Sequence, residues 1–407
     1  MTNSLSASFA AYWSRRMQMT AYREAVYPAI VSMEEQATLK NGQTVHRPYR
    51  STLYPRNYTR GTAVVIRDVT DTDETLTVTT AKVVPFYIDD LDAIQHNYKV
   101  LNEYADDATT VLTNTIDGDI LGEYDNATSK VDDVEINGSA TAGVGFTLTT
   151  ANVLSVFTQA KKKLKKQNIV MNNFFGVISP EFEAVLMQFL ANRESPLGDA
   201  TGTNGNIGKY MGFELYVSNG LGWSGSLVMA TIPTAGDTIT INGVTFTAAA
   251  DAAAATAGEF SIQATAALAL TQLVAAINNT TGYAAGAGAA DTYFEVSAAN
   301  RDLLIGITAS ESGTNLLIKA VGLGTVTVSE TLTPAANIWT ANKQIQHNLF
   351  GRKGAIDLVI QKRPNVEIKE VSDKLGKNIL PWTLYGKKTF VEGARELVDV
   401  RVRSDAF

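Results

Sequence analysis

Between Thr44 and Leu121 the sequence reads as two extended runs followed by a long helix, and that order restricts the fold more than any other feature. The runs are Thr44 to Tyr58 and Leu76 to Ile88; the stretch between them, with Asp71, Asp73 and Glu74, reads as a solvated turn. A two-stranded ribbon is marginal in water by itself, so this one needs another surface to lie on. Directly after it, Asp89, Asp90 and Asp92 place negative charge where a helix dipole favours it. Leu91, Ile94, Tyr98, Leu101, Ala105, Ala108, Val111, Leu112 and Ile116 then follow steps of three and four. About 28 residues rising about 1.5 Å each give a rod of roughly 42 Å. It ends near Asp117-Gly118, with a short continuation through Ile120 and Leu121. Ahead of the ribbon, Leu5 to Leu39 carries Phe9, Tyr12, Trp13, Met17 and Tyr22 before Pro28. Such large apolar groups lack a partner in a compact domain and predict an arm that packs on something else.

Downstream, a second helix opens at Thr149 or Thr150, with Val153, Leu154, Phe157 and Leu164 on one face and Lys161, Lys162, Lys163, Lys165 and Lys166 in its final turns. A buried strand follows at Phe174–Ser179, and Ser179-Pro180-Glu181 starts a third helix with a serine cap and a first-turn proline. A Gly- and Asn-rich loop, Asn192 to Gly208, precedes a strand in which Met211, Phe213, Leu215 and Val217 alternate. Further strands read at Ala355–Ile360, Val366–Val371 and Glu396–Val402.

Between Pro233 and Pro334 the composition changes to Ala, Thr and Gly, and Met and Trp vanish. Eight acids there stand against Arg301 and Lys319, so this stretch holds most of the chain's net charge of −7. The asymmetry marks a separate module. Ile239 and Ile241 before Asn242-Gly243 signal a hairpin. A helix over Ala264 to Asn278 and strands at Tyr293–Ser297, Leu303–Thr308, Leu316–Val321 and Thr325–Ser329 complete a small, mostly-β domain with one helix, expected to fold alone.

The search for chemistry returns little. The 407-residue chain has no cysteine, which removes disulfides, thiolate metal sites and a thiol nucleophile together. His46, His96 and His347 stand at no metal-binding spacing from one another. Gly222-Trp223-Ser224-Gly225 lacks the second glycine of a nucleophile elbow and reads as a Gly-rich turn. The loop from Gly202 through Gly205 and Gly208-Lys209 to Tyr210 places tyrosine where a phosphate loop needs a magnesium-holding hydroxyl. Neither acidic cluster, Asp71/Asp73/Glu74 or Asp89/Asp90/Asp92, has the glycine and final glutamate of a calcium loop. Clustered lysines can neutralise phosphates. Those of Lys161–Lys166 have no interleaved aromatics and are explained by the helix C-terminus. No catalytic, cofactor-binding or metal residue is expected. The opening twenty residues carry no secretory pattern and no window is long and apolar enough for a membrane span, so a soluble protein is expected.

The order of parts is arm, ribbon, long helix, compact α/β region, insert and closing strands. It resembles the major capsid proteins of tailed bacteriophages, of the Hong Kong 97 type. Val83-Val-Pro-Phe-Tyr-Ile-Asp-Asp-Leu-Asp92 is similar to that family's junction of extended loop and spine helix. Phe174 to Phe182 resembles a strand-to-helix turn of its axial domain, and Gly208 to Asn219 its axial strand ending in Ser-Asn. Leu384–Phe390 and Arg395–Arg403 look like its closing strands. The resemblance implies an α+β fold divided into an N-terminal arm (1–39), an extended loop (40–88), and a spine helix with peripheral domain (89–148). It continues with an axial part (149–232), an inserted β-rich domain (233–335) and a return to axial and peripheral domains (336–407). It implies no enzyme and no cofactor. It implies a virion subunit, assembled in the host cytoplasm into pentamers and hexamers of an icosahedral shell. Scaffolding and portal proteins and non-specifically held double-stranded DNA would be partners, with no membrane. A tail-tube or decoration subunit is the alternative, and a compact β-barrel without a long helix would favour it.

Overall fold

The computed structural model describes residues 22–39, 42–50, 52–64, 66, 68–89, 100–170, 172–192, 207–251, 254, 256–278, 293–324, 326–340, 342–370 and 375–403. The arm before Tyr22, the helix opening with Asp90, Asp92 and His96, and the loop residues 193–206 lie outside the described residues.

A helical turn, α1 (Tyr27–Ile30), leads to β1 (Thr44–Arg50), β2 (Asp71–Thr77), β3 (Thr80–Val83) and β4 (Phe86–Asp89). β1 and β2 form the antiparallel ribbon, with Arg47 opposite Glu74 and Arg50 opposite Asp71. The acids expected to sit in a solvated turn are therefore a strand: Asp71 and Glu74 lie across from arginines, and Asp73, opposite Pro48, meets the His46 side chain. The second extended run divides: only Leu76 and Thr77 belong to the ribbon, while β3 and β4 pair with a strand from the far end of the chain.

The spine helix α2 is described over Val100–Leu121, about 33 Å at the standard rise. Asp117 and Gly118 do not end it, because Asp117 turns inward and Ile120 and Leu121 remain in the core. β5 (Ser129–Val131), α3 (Asp133–Asn137), α4 (Val153–Lys166), β6 (Phe174–Ile178) and α5 (Pro180–Ala191) follow. The Ser179 hydroxyl caps α5 by accepting from the Phe182 N–H. Next come β7 (Lys209–Tyr210), β8 (Phe213–Val217) and β9 (Gly222–Met229). Met211, expected within a strand, instead occupies the β7–β8 turn at φ 48°.

The 233–335 stretch contributes β10 (Thr238–Ile241), β11 (Val244–Ala249), β12 (Glu259–Ser261), α6 (Ala266–Asn278), α7 (Ala298–Leu303), β13 (Ile307–Ser312), β14 (Asn315–Ala320) and β15 (Val328–Glu330). Asn242 and Gly243 both take positive φ, 49° and 83°, the conformation a two-residue hairpin turn requires. Two expected strands fail. Ser297 caps α7 rather than ending a strand, and Leu303 closes that helix, so the strand starts only at Ile307. The short apolar run there could not distinguish helix from strand.

The chain closes with β16 (Asn337–Trp339), β17 (Ile345–Arg352), β18 (Asp357–Glu370), β19 (Gly376–Lys388), α8 (Val391–Arg395) and β20 (Leu397–Arg403). The central sheet runs β13-β14-β9-β17-β6-β8-β7, with β20 also on β17 and β5 on β20. A second sheet runs β18-β19-β3, with β4 also on β19. One core packs α4 and α5 on the central sheet through Phe157, Phe182, Phe213 and Phe350. Gly176 is obligatory there, since a Cβ would stand 2.7 Å from the Phe350 ring. A second core gathers α6 against β9, β13 and β14 and includes Trp223, Leu227, Met229 and Trp339. The insert thus shares a sheet and a core with residues outside the Pro233 and Pro334 boundaries. Composition could not show this, because it registers surface acids rather than hydrogen-bonded neighbours.

Candidate assembly surface

The ribbon is fixed at its base. Leu76 and Val78 pack with Leu39, Val359 and Phe390. Arg47 donates to Glu35 at 2.9 Å and Asp357 at 3.1 Å, and its guanidinium lies 4.2 Å from the centre of the Phe390 ring. Glu74 accepts from the Val391 N–H at 3.1 Å. Beyond that base the excursion is open. Leu53, Tyr54, Tyr58, Val64, Ile66 and Val69 are between 64% and 89% exposed. Contiguous apolar exposure of this kind marks an interaction surface. From Thr44 to Val64 the sequence also carries Arg47, Arg50, Arg56 and Arg60 and no acid.

The place where the arm enters is built around Asp117. This buried carboxylate on α2 accepts from the Val26 and Tyr27 N–H groups, both at 2.8 Å. Burial raises its pKa above the ordinary value; the two N–H donors and Arg23 offset part of that rise. Arg23 lies 3.6 Å from Asp117 and donates to the carbonyls of Gly322, at 2.5 Å, and Asn114, at 2.6 Å. Three glycines make room for this clasp. A Cβ on Gly220 would overlap the guanidinium, and one on Gly118 would meet the Gly322 Cα at 2.7 Å. Arg23 thereby joins the arm, the spine helix and the insert.

Two residues further along α2, Tyr385 and Lys387 of β19 bond to Asp119, and Lys387 also pairs with Glu123, just past the helix, at 3.0 Å. Burial pushes the Glu123 carboxyl up, but Lys387, Thr389 and Asn126 together outweigh it and hold it below its ordinary value.

Ser224, His347 and Asp399, far apart in the chain and in no recognised motif, form a relay. Ser224 Oγ lies 2.8 Å from His347 Nε2, and His347 Nδ1 lies 2.8 Å from Asp399 Oδ1. The Arg401 Nε donates to the other Asp399 oxygen at 2.8 Å, and Tyr124 stacks on the imidazole at 3.8 Å. The distances are those of a nucleophile, base and orienter. Ser224, however, lies within β9, which β14 and β17 flank on both sides, so Gly222–Gly225 is a strand and not the expected turn. With both edges of β9 occupied by the sheet, the backbone beside Ser224 does not present the free N–H pair an oxyanion requires. The relay ties β9, β17 and β20 together.

The remaining candidates are dispersed. His46 meets Asp73, at 2.6 Å on the ribbon, and His96 lies outside the described residues. Lys163 pairs with Glu135, Lys161 donates to the Met211 carbonyl, and Lys165 and Lys166 end α4 in solvent. Among the described residues no group of three His, Asp or Glu is placed to hold a metal, and no helix is long and apolar enough to cross a membrane.

Residues 73–241 match a protein-family model described as phage capsid protein. No curated protein matches the sequence. Among solved structures, a chain from Mycobacterium phage Che8 is similar at TM-score 0.56 and 15% identity, covering 96% of both chains. The capsid structure of cyanophage P-SCSP1u gives TM-score 0.55 and 11% identity, covering 98% of this chain and 94% of that one. The acidic stable capsid of Helicobacter pylori bacteriophage KHP30 gives 0.51 and 10%, covering 98% of both. The fold of this chain is that of phage capsid subunits of the Hong Kong 97 type.

Proposed function

We propose that this chain, which carries the phage capsid fold along its length, is a major capsid protein whose copies close into the shell of a virion. One observation supports the reading most. A ribbon anchored by Arg47 and Phe390 holds Leu53, Tyr54, Ile66 and Val69 out in solvent, where none of the described residues of the same subunit covers them. Burying them against a neighbour gains about 25 cal/mol per Å² of apolar surface removed from water. Obligate interfaces commonly bury about 2,000–5,000 Å². Repeated head-to-tail contacts close when the rotation between copies closes, which gives rings of five and six.

The role is structural, and it needs no cofactor. In this reading the ribbon lies across one neighbour and the arm before Tyr22 clasps another. The division into arm, ribbon, peripheral, axial and inserted parts follows the same assignment, with the insert widened to include β9 and β16. Assembly in the host cytoplasm, scaffolding and portal partners and enclosed double-stranded DNA belong to the proposal as well.

The test replaces residues 51–70 by a two-residue turn joining β1 to β2. The base of the ribbon keeps its contacts, so the variant is expected to stay folded by circular dichroism and to form no shells by electron microscopy. Normal particles from this variant would refute the proposal, and tubes from the wild-type chain would replace it with a tail-tube assignment.

A further inference from the structure

Four buried polar atoms gather on one face of the central sheet with no partner among the described residues. We propose that they hold an internal water site, a hydrated joint between the core of the insert and the core of the host.

The atoms are Nε1 of the Trp223 indole, Nε2 and Oε1 of the Gln346 amide and Nδ2 of the Asn348 amide. All three side chains are 1% exposed or less. Register brings them together. Gln346 of β17 stands opposite Trp223 of β9 on one side and Val402 of β20 on the other. Asn348, two positions along β17 and opposite Val400, shares that face. Directly opposed side chains leave their strands about 4.5–5.5 Å apart, within reach of a glutamine. Asn348 is fixed through its other amide atom, since Oδ1 accepts from the Ser179 N–H at 2.9 Å.

Trp223 belongs to the core that gathers α6 on β9, β13 and β14, whereas Val400 and Val402 belong to the core under α4 and α5. The polar row therefore lies where the two cores meet. The other orphaned atoms stand apart from it. Arg23 Nε and Asp117 Oδ2 belong to one ion pair, and Arg352 is paired with Glu396. Glu103 and Glu181 are on α2 and α5, and Trp339 lies opposite Leu227, four positions along β9.

Chemistry selects the occupant. The indole and the two amides present N–H donors, and Gln346 Oε1 is an acceptor. All three groups are neutral, and an ion buried among neutral groups meets a large desolvation cost. An apolar guest would leave every one of the four atoms unmet. Water both donates and accepts, and a buried water ordinarily makes about three hydrogen bonds. One molecule accepting from Trp223 and Asn348 and donating to Gln346 Oε1 would make that number.

The direct test is a density map of the full-length chain, as a crystal or as a particle, fine enough to show ordered solvent. A peak within about 3.2 Å of Trp223 Nε1 and of the Gln346 amide is expected. Side chains in direct contact with no peak among them would overturn the proposal. A peak held by N–H donors alone, with Gln346 Oε1 turned away, would overturn it in favour of a halide. A thermal melt of Gln346→Met, which keeps the length and unbranched shape of the side chain, gives a second test by the sign of its effect. If water is bound, the change removes one of its partners and leaves Trp223 and Asn348 unmet, so the midpoint should fall by about 2 °C or more. If none is bound, the change removes two orphaned atoms, and an unchanged or raised midpoint would overturn the proposal. Should the variant fail to fold, the map of the unaltered chain decides. Both tests stand whether or not the chain builds shells.

Discussion

At the residue scale the most consequential group is Asp399, fully buried between His347 and Arg401. Burial by itself would raise its pKa; the charges and hydrogen bonds of His347 and Arg401 outweigh burial and hold it below the ordinary 3.8. Asp399→Ala leaves the Arg401 guanidinium and the His347 Nδ1 without their buried partner, and removing one partner of a buried pair costs about 3–5 kcal/mol. Urea unfolding of the subunit should report a loss of that size. Because the folded pKa lies below the unfolded one, the contribution is complete above the unfolded value and disappears as pH falls through the folded one. Glu123, held below 4.5 once Lys387 offsets its burial, acts in the same direction. Stability should therefore fall from about pH 5 to about pH 3, and Glu123→Gln should make that slope shallower. An equal slope in wild type and variant would show that Glu123 does not contribute.

At the element scale the spine helix is held from three sides, by Arg23 and Asp117, by β19, and by the insert at Gly118. Replacing a mid-helix glycine with alanine ordinarily gains about 1 kcal/mol. At Gly118 the new Cβ would meet backbone of Gly322 at 2.7 Å, and backbone cannot turn aside as a side chain can. Overpacking of this kind costs about 1–3 kcal/mol. Gly118→Ala is expected to lower the thermal midpoint, and a rise would show that the insert is not seated against the helix.

At the scale of the whole molecule the insert is a lobe built onto the host sheet. Its core needs Trp223, Leu227 and Met229 from β9 and Trp339 from β16, and β14 pairs with β9 along Asn315–Ala320. A fragment of residues 233–335 should therefore melt without a cooperative transition. A sharp calorimetric transition from that fragment would show that the insert needs no host strand.

The order of parts, the amphipathic faces of α2, α4 and α6, the Ser179 cap and the Asn242-Gly243 turn were legible in the amino acids alone, since each depends on residues close together in the chain. The amino acids also supplied the resemblance to capsid proteins, through short stretches in a fixed order. Long-range packing set the pairing of Asp71–Thr77 as a strand, the passage of β9 from host to insert, and the meeting of Ser224, His347 and Asp399 across three strands. It alone brought Arg23 to Gly322 across 299 positions. Periodicity reports which face a residue occupies, whereas the identity of its partner depends on how distant segments are brought into register.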